Sequence, residues 1–173
     1  SFSEKIPTFV YIGSHSKERE LETVFKAIEI SILNGVNADF LFIGYDFKED
    51  GYLKNLPQVK KLFFHKKLRI EAPIPRNKIS EILSNCDIGI CLIPPKSIYL
   101  ESSPTKLAEY MGAGLAVLAS KGISMQEKFV KESNGGLLVN WDVISIASGI
   151  QKLVSNPNLI SKLGNNSRAY TLE

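Results

Sequence analysis

Two carboxylates, Glu101 and Glu109, bracket the segment Ser102-Ser103-Pro104-Thr105-Lys106-Leu107-Ala108. The chemistry open to them follows from the helix that starts between them. Ser103-Pro104 reads as an N-cap followed by proline at the first helical position, and Leu107, Ala108 and Met111 continue at helical spacing. The amides of Thr105 and Lys106 then lack intrahelical acceptors, and with the positive end of the helix dipole they make a site for phosphate. Glu109 falls four residues after Thr105 on the same face, ~6 Å along the axis at ~1.5 Å per residue. That is the reach from a phosphate to the hydroxyls of an attached ribose. Glu101 precedes the helix on a loop, where it can address whatever hangs from the other side of a diphosphate. Acid, phosphate cradle, acid is also the order sugar, diphosphate, ribose. The plain alternative is a solvated helix residue and a loop charge, since acids near helix starts are common.

Strand-like and helical runs alternate around this segment. Thr8 to Ile12 reads as a strand ending at Gly13, and Lys17 to Asn34 as a helix with Leu21, Val24, Phe25, Ile28 and Ile32 inward. Phe40–Ile43 is a second strand, Leu62–Phe64 a third, and a short strand follows around Arg69–Ala72. A short helix spans Asn77–Asn85, and Ile88–Ile93 is unbroken apolar, as in a parallel strand covered on both faces. A helix from Pro104 to Gly112 precedes a strand, Leu115–Ala119. The remainder reads as a helix Ser124–Ser133, a strand Gly136–Val139, and helices Val143–Ser155 and Asn158–Tyr170. Such alternation predicts an α/β, doubly wound parallel sheet, Rossmann-like, with its ligand at the carboxyl ends of the strands. The loops to watch are Gly13–Arg19, Tyr45 onward, Pro73–Asn77 and Pro94–Ser103.

The totals fit this reading and exclude others. A chain of 173 residues with 44% hydrophobic and 23% charged residues is the size and composition of one ordinary globular domain. No apolar run approaches the ~18 residues of a membrane span. Two cysteines, Cys86 and Cys91, and two distant histidines, His15 and His65, give neither a disulfide framework nor a metal-ligand spacing. No Asp-x-Asp is present either, so no metal is expected. The net charge of +3 is mild, but Lys60, Lys61, Lys66, Lys67 and Arg69 crowd one stretch. A solvated face is the simple reading of that stretch and an anionic membrane surface the functional one. Nucleic acid is not expected, because no aromatic stacking pattern accompanies the charges.

The two-acid segment resembles the donor-binding signature of retaining glycosyltransferases with the GT-B fold, specifically glycosyltransferase family 4. There, two Glu separated by seven residues precede a Gly-rich turn and a strand. Glu101, residues 102–108 and Glu109 reproduce that spacing, ahead of Gly112, Gly114 and Leu115–Ala119. The form running from Pro104-Thr105-Lys106-Leu107 through Glu109-Tyr110-Met111 to Gly114 is common in enzymes that build surface polysaccharides. Tyr11-Ile12-Gly13 resembles the family's first strand and Asn85-Cys86-Asp87-Ile88 its fourth. Asn156-Pro157 and Leu163-Gly164-Asn165-Asn166-Ser167-Arg168 resemble its end. Only the two-Glu motif and its flanks are specific.

The resemblance implies roles position by position. Glu109 would hold the ribose hydroxyls, and Glu101 would act catalytically at a hydroxyl of the donor sugar. Ser102 and Ser103 would approach sugar and phosphates, Thr105 and Lys106 would offer amides to the diphosphate, and Gly13 would flank it closely. Ile74 would lie against the base. The family usually has Gly-Arg after the first strand and Lys-Gly about five residues on, where this chain has Gly13-Ser14 and Arg19-Glu20. Arg19 can replace the lysine as a phosphate clamp; Ser14 cannot replace the arginine's charge, which predicts weaker diphosphate binding. Lys17 and His15 are the nearby residues that could compensate, although a surface role is the simpler reading of each.

By the same resemblance the chain is the donor-binding, C-terminal half of a GT-B enzyme, residues 1–173, whose N-terminal half supplies the acceptor site. The implied substrate is a nucleotide-diphosphate sugar, UDP favoured over GDP, with no cofactor. A hexosyl unit would pass with retention to a glycan or lipid-linked acceptor in bacterial capsule, O-antigen or exopolysaccharide synthesis. The expected location is cytoplasmic, peripheral at the inner face of the membrane, and the half alone is expected to bind donor without turning it over. The rival readings are a nucleotide-sugar 2-epimerase of the same fold and a non-catalytic nucleotide-binding regulatory domain. A receiver domain lacks support, because no cluster of acids ends the first strand.

Overall fold

The structure is a computed structural model and describes residues 5–44, 52–102 and 104–173. In strand β1 (Thr8–Ile12) the pleat sends Phe9 and Tyr11 to one face and Val10 and Ile12 to the other. Helix α1 (Leu21–Leu33) returns the chain to β2 (Asp39–Ile43), and α2 (Tyr52–Asn55) with α3 (Pro57–Phe64) returns it to β3 (Leu68–Glu71). Helix α4 (Ile79–Leu83) then leads across to β4 (Ile88–Cys91), followed by α5 (Thr105–Gly112) and β5 (Ala116–Ser120). Helix α6 (Ser124–Ser133), β6 (Gly136–Val139), α7 (Val143–Val154) and α8 (Pro157–Leu172) complete the chain.

All pairings are parallel and the sheet order is β3-β2-β1-β4-β5-β6. One core layer lies between the sheet and α1, α3 and α7, with Phe25, Ile28, Leu62 and Ile150 against Phe9, Phe40 and Phe42. The other lies beneath α4, α5 and α6, where Leu83, Leu107, Met111 and Val130 meet Val10, Leu41 and Val117. Helix α8 is tied to the loops beside it by its own motif residues. Asn166 donates to the Asn134 carbonyl (2.9 Å), Ser167 to that of Gly135 (3.0 Å) and Arg168 to that of Gly112 (2.7 Å).

Several boundaries differ from the sequence expectation. Leu62–Phe64 is not a strand but the last turn of α3. Pro57 opens that helix, and Val59 and Leu62 at i and i+3 bury one stripe, which a three-residue apolar run does not reveal. The expected Lys17–Asn34 helix is broken, because Lys17–Arg19 forms a 3-10 turn and Glu20 takes a left-handed conformation (φ 50°). Helix α5 begins at Thr105, so Pro104 is its N-cap residue rather than its first helical residue. Ser103, expected as that cap, lies outside the described residues, as does the loop from Tyr45 to Gly51.

Candidate functional site

The order of strands reverses between β1 and β4, and there the two strands separate. They pair at Phe9–Ile88 and Val10–Gly89, whereas β1 pairs with β2 along its whole length. The Tyr110 side chain of α5 occupies the gap. Its hydroxyl accepts the Ile12 amide at 2.8 Å, so that donor is satisfied where the ladder has ended. Gly89 makes room: a Cβ there would sit 2.4 Å from the tyrosine ring. Full burial holds the Tyr110 phenol well above its ordinary pKa, so it stays a neutral hydroxyl.

The loops leaving the two strands are fixed by buried polar groups. Tyr11 donates from its hydroxyl to the Ser14 carbonyl at 2.7 Å, pinning the turn around Gly13. Burial raises its pKa, and the Arg19 charge opposes that rise without cancelling it, so the donor proton is kept. On the other wall, Ser120 Oγ donates to the Ile93 carbonyl (2.6 Å) and accepts the Ile93 amide (2.9 Å). Gln126 Nε2 donates to the carbonyls of Cys91 (2.9 Å) and Ser120 (2.8 Å). Two contacts then bridge the mouth: Lys96 pairs with Glu20 at 3.0 Å, and the Arg19 guanidinium lies over the Tyr99 ring, 4.5 Å from its centroid.

The crevice so formed has a volume of about 270 Å³, and Gly13, Arg19, Ser102, Thr105 and Lys106 line it together. The amino end of α5 points its first amides there, and its first turn carries no acid. With the Arg19 guanidinium, this is an electropositive, partly apolar crevice suited to an anion.

Other candidates are placed around it. Glu109 lines an adjacent concavity with Arg76 and Arg168, and its carboxylate is 3.1 Å from the Lys106 ammonium. Lys106 thus stands between the crevice and the acid. Glu101 is exposed on the turn before Ser102, near the mouth. Ile74 packs against the second core layer, in the loop after β3, and is not among the crevice residues. Ser14 Oγ accepts the Ser16 amide (3.1 Å) and is turned to its own loop. His15 is buried beside Tyr11 and Lys17 lies over the Tyr52 ring, so neither lines the crevice.

Tyr11, Tyr110, Ser120 and Gln126 were not among the sequence candidates. A polar Ser120 ending an otherwise apolar strand was the one local hint. A further groove of about 470 Å³ lies at the amino ends of the strands, where Lys5 and Asp87 neutralise each other at 2.7 Å. The two thiols are free, Cys91 buried and Cys86 half-buried; burial pushes the Cys86 thiol up to about 11. Among the described residues no group of three acids, thiols or imidazoles could hold a metal, and no helix is long and apolar enough to cross a membrane.

Solved structures share this architecture. WaaG, a glycosyltransferase involved in lipopolysaccharide biosynthesis, superposes with a TM-score of 0.76 at 18% identity, over 98% of this chain and 43% of that one. Anabaena Alr3699/HepE in complex with UDP-glucose gives 0.77 at 16% identity, over 96% of this chain and 44% of that one. The catalytic domain of the Helicobacter pylori cholesterol-α-glucosyltransferase gives 0.74 at 15% identity, over 97% and 98%. This chain therefore spans less than half the length of WaaG and HepE. At these identities the likeness is one of fold, that of GT-B glycosyltransferases. No curated protein sequence matches the chain. The family model for glycosyl transferases group 1 matches residues 1–170, and the chain belongs to that family.

Proposed function

We propose that this chain is the donor-binding, C-terminal half of a retaining hexosyltransferase that takes its sugar from a UDP-sugar in preference to a GDP-sugar. The observation that carries the reading is the crevice at the β1–β4 switch point, where Gly13, Arg19, Ser102 and the amide end of α5 converge. In the intact enzyme an N-terminal domain would present a glycan or lipid-linked acceptor. The role would lie in bacterial capsule, O-antigen or exopolysaccharide synthesis, in the cytoplasm. WaaG is described as acting in lipopolysaccharide biosynthesis, and HepE was solved with UDP-glucose. Both support the direction of the proposal.

The residues would divide the work by charge. The diphosphate would sit on the amides of Thr105 and Lys106 with Arg19 beside it. These groups would stabilise the negative charge that builds on the leaving diphosphate as the anomeric C–O bond breaks. The acceptor proton would pass to a donor phosphate oxygen on the face from which the acceptor attacks, giving retention without a metal. Glu109 would hold the ribose hydroxyls, Ser102 and Ser103 would approach the sugar and phosphates, and Glu101 would fix a sugar hydroxyl. Ile74 and Ser14 would need the loops to shift before either could meet a ligand. Titration calorimetry with UDP, GDP and ADP tests the reading. UDP should bind tightest, ADP weakest, and magnesium should change little; an adenine preference or a strict need for a divalent ion would overturn it.

A further inference from the structure

The neighbouring helices α1 and α3 end in the same geometry but not with the same residue. Each closes with paired backbone bonds: Gly35 N to Ile32 O (3.0 Å) and Val36 N to Ser31 O (3.0 Å) in α1, Lys66 N to Phe63 O (2.9 Å) and Lys67 N to Leu62 O (3.1 Å) in α3. The residue after the cap must be left-handed. In α1 it is Gly35 (φ 91°); in α3 it is Lys66 (φ 55°), a side chain that the conformation disfavours. The chain thus keeps a lysine where glycine would relieve strain.

That lysine borders the most exposed large apolar residue of the described chain. Phe64 is 84% exposed, with the His65 ring edge-on to it at 5.5 Å. Leu33, at the end of α1, is 69% exposed. The two helix ends are neighbours: Lys61 pairs with Glu29 at 2.6 Å, and Phe64 and Leu33 lie one turn beyond those partners. Lys67 ties the ends again, to Asn37 at 2.7 Å. Lys60 and Lys66 are exposed and make no ion pair among the described residues. None of the concavities described above contains Phe64 or Leu33.

We propose that this tip, Phe64 and Leu33 ringed by Lys60, Lys61 and Lys66, docks on the surface of an anionic lipid bilayer. An exposed apolar point beside the ammonium groups of Lys60 and Lys66, which make no ion pair among the described residues, suits a deformable negative surface; a protein partner would need a groove to receive it. Both helices run back from the carboxyl ends of β1 and β2, so the tip lies at the end of the sheet opposite the crevice. Docking therefore leaves the crevice open, and the inference holds independently of what the crevice binds.

The test is co-sedimentation of the 173-residue chain with phosphatidylcholine vesicles, with and without phosphatidylglycerol, over a series of salt concentrations. Binding should require phosphatidylglycerol, fall steeply with salt, and be unchanged by saturating UDP. Phe64→Ser should weaken it about ten-fold, and Lys66→Gly about five-fold, near one lysine's contribution at the surface. Lys66→Gly should at the same time raise the melting temperature, a combination that no purely structural role for the lysine produces. Absence of binding, equal binding to neutral vesicles, or indifference to both substitutions would overturn the proposal. So would self-association in solution that Phe64→Ser abolishes, since the tip would then be an interface between copies.

Discussion

At the residue scale, the position of Lys106 answers why acids flank an anion site. Its ammonium reaches Glu109 at 3.1 Å while its chain lines the crevice, so the acid is partly neutralised and set one layer away from the amides. If Glu109 holds the ribose, Glu109→Ala should cost about 1.5–3 kcal/mol of uridine binding, roughly 10- to 100-fold in affinity. The loss for UDP should be smaller, because the freed Lys106 can then meet the diphosphate. Glu101→Ala should leave both nearly intact and weaken only UDP-sugar. Calorimetry with the three ligands separates these outcomes; equal losses in both variants would make the acids scaffolding. Spacing pointed to Thr105 and Lys106 and the family resemblance to Gly13, Arg19 and Ser102; all five line one crevice. It did not disclose Tyr110 as the partner of Ile12, because that bond joins residues 98 positions apart.

At the scale of elements, the Tyr110 side chain of α5 stands where the pairing of β1 and β4 ends, next to the crevice. Tyr110→Phe keeps the ring but leaves the buried Ile12 amide without its acceptor, at a cost of about 1–3 kcal/mol. Gly89→Ala drives a methyl into the ring and should cost about 1–3 kcal/mol through overpacking. Urea unfolding of both variants checks these figures, and UDP calorimetry should show weaker binding in each, since Ile12 leads into Gly13. Unchanged stability in either would mean that Tyr110 does not brace the end of that pairing. The helical state of Leu62–Phe64 belongs to this scale too. A short apolar run fits strand and helix alike, and only the packing of Val59 and Leu62 beneath α3 distinguishes them.

For the whole molecule, binding and stability are linked. A ligand present at 100 times its dissociation constant adds about 2.7 kcal/mol to the folded state. In a domain of this size that raises the melting point by about 5–11 °C. Saturating UDP should give a shift in this range, and Arg19→Ala should reduce it at the same UDP concentration. A scanning fluorimetry series reads both; a full shift in Arg19→Ala would remove the arginine from the phosphate site. The groove at the amino ends of the strands is a poor rival for the nucleotide, because its two charges, Lys5 and Asp87, satisfy each other.

By itself the sequence determined what depends on local pattern. Alternating apolar runs and helical stripes required a parallel α/β sheet, since strands such as Ile88–Cys91 can be apolar on both faces only when helices cover both. The seven residues between Glu101 and Glu109 placed a helix start between two acids. Tertiary structure decided what depends on distant partners: the reversal of strand order between β1 and β4, the Tyr110 wedge, the turning of Glu109 onto Lys106, and the pairing of two helix ends at Phe64 and Leu33. Spacing along a chain fixes the face of one element. Which elements meet at that face is set by the packing of both core layers, and no short stretch encodes it.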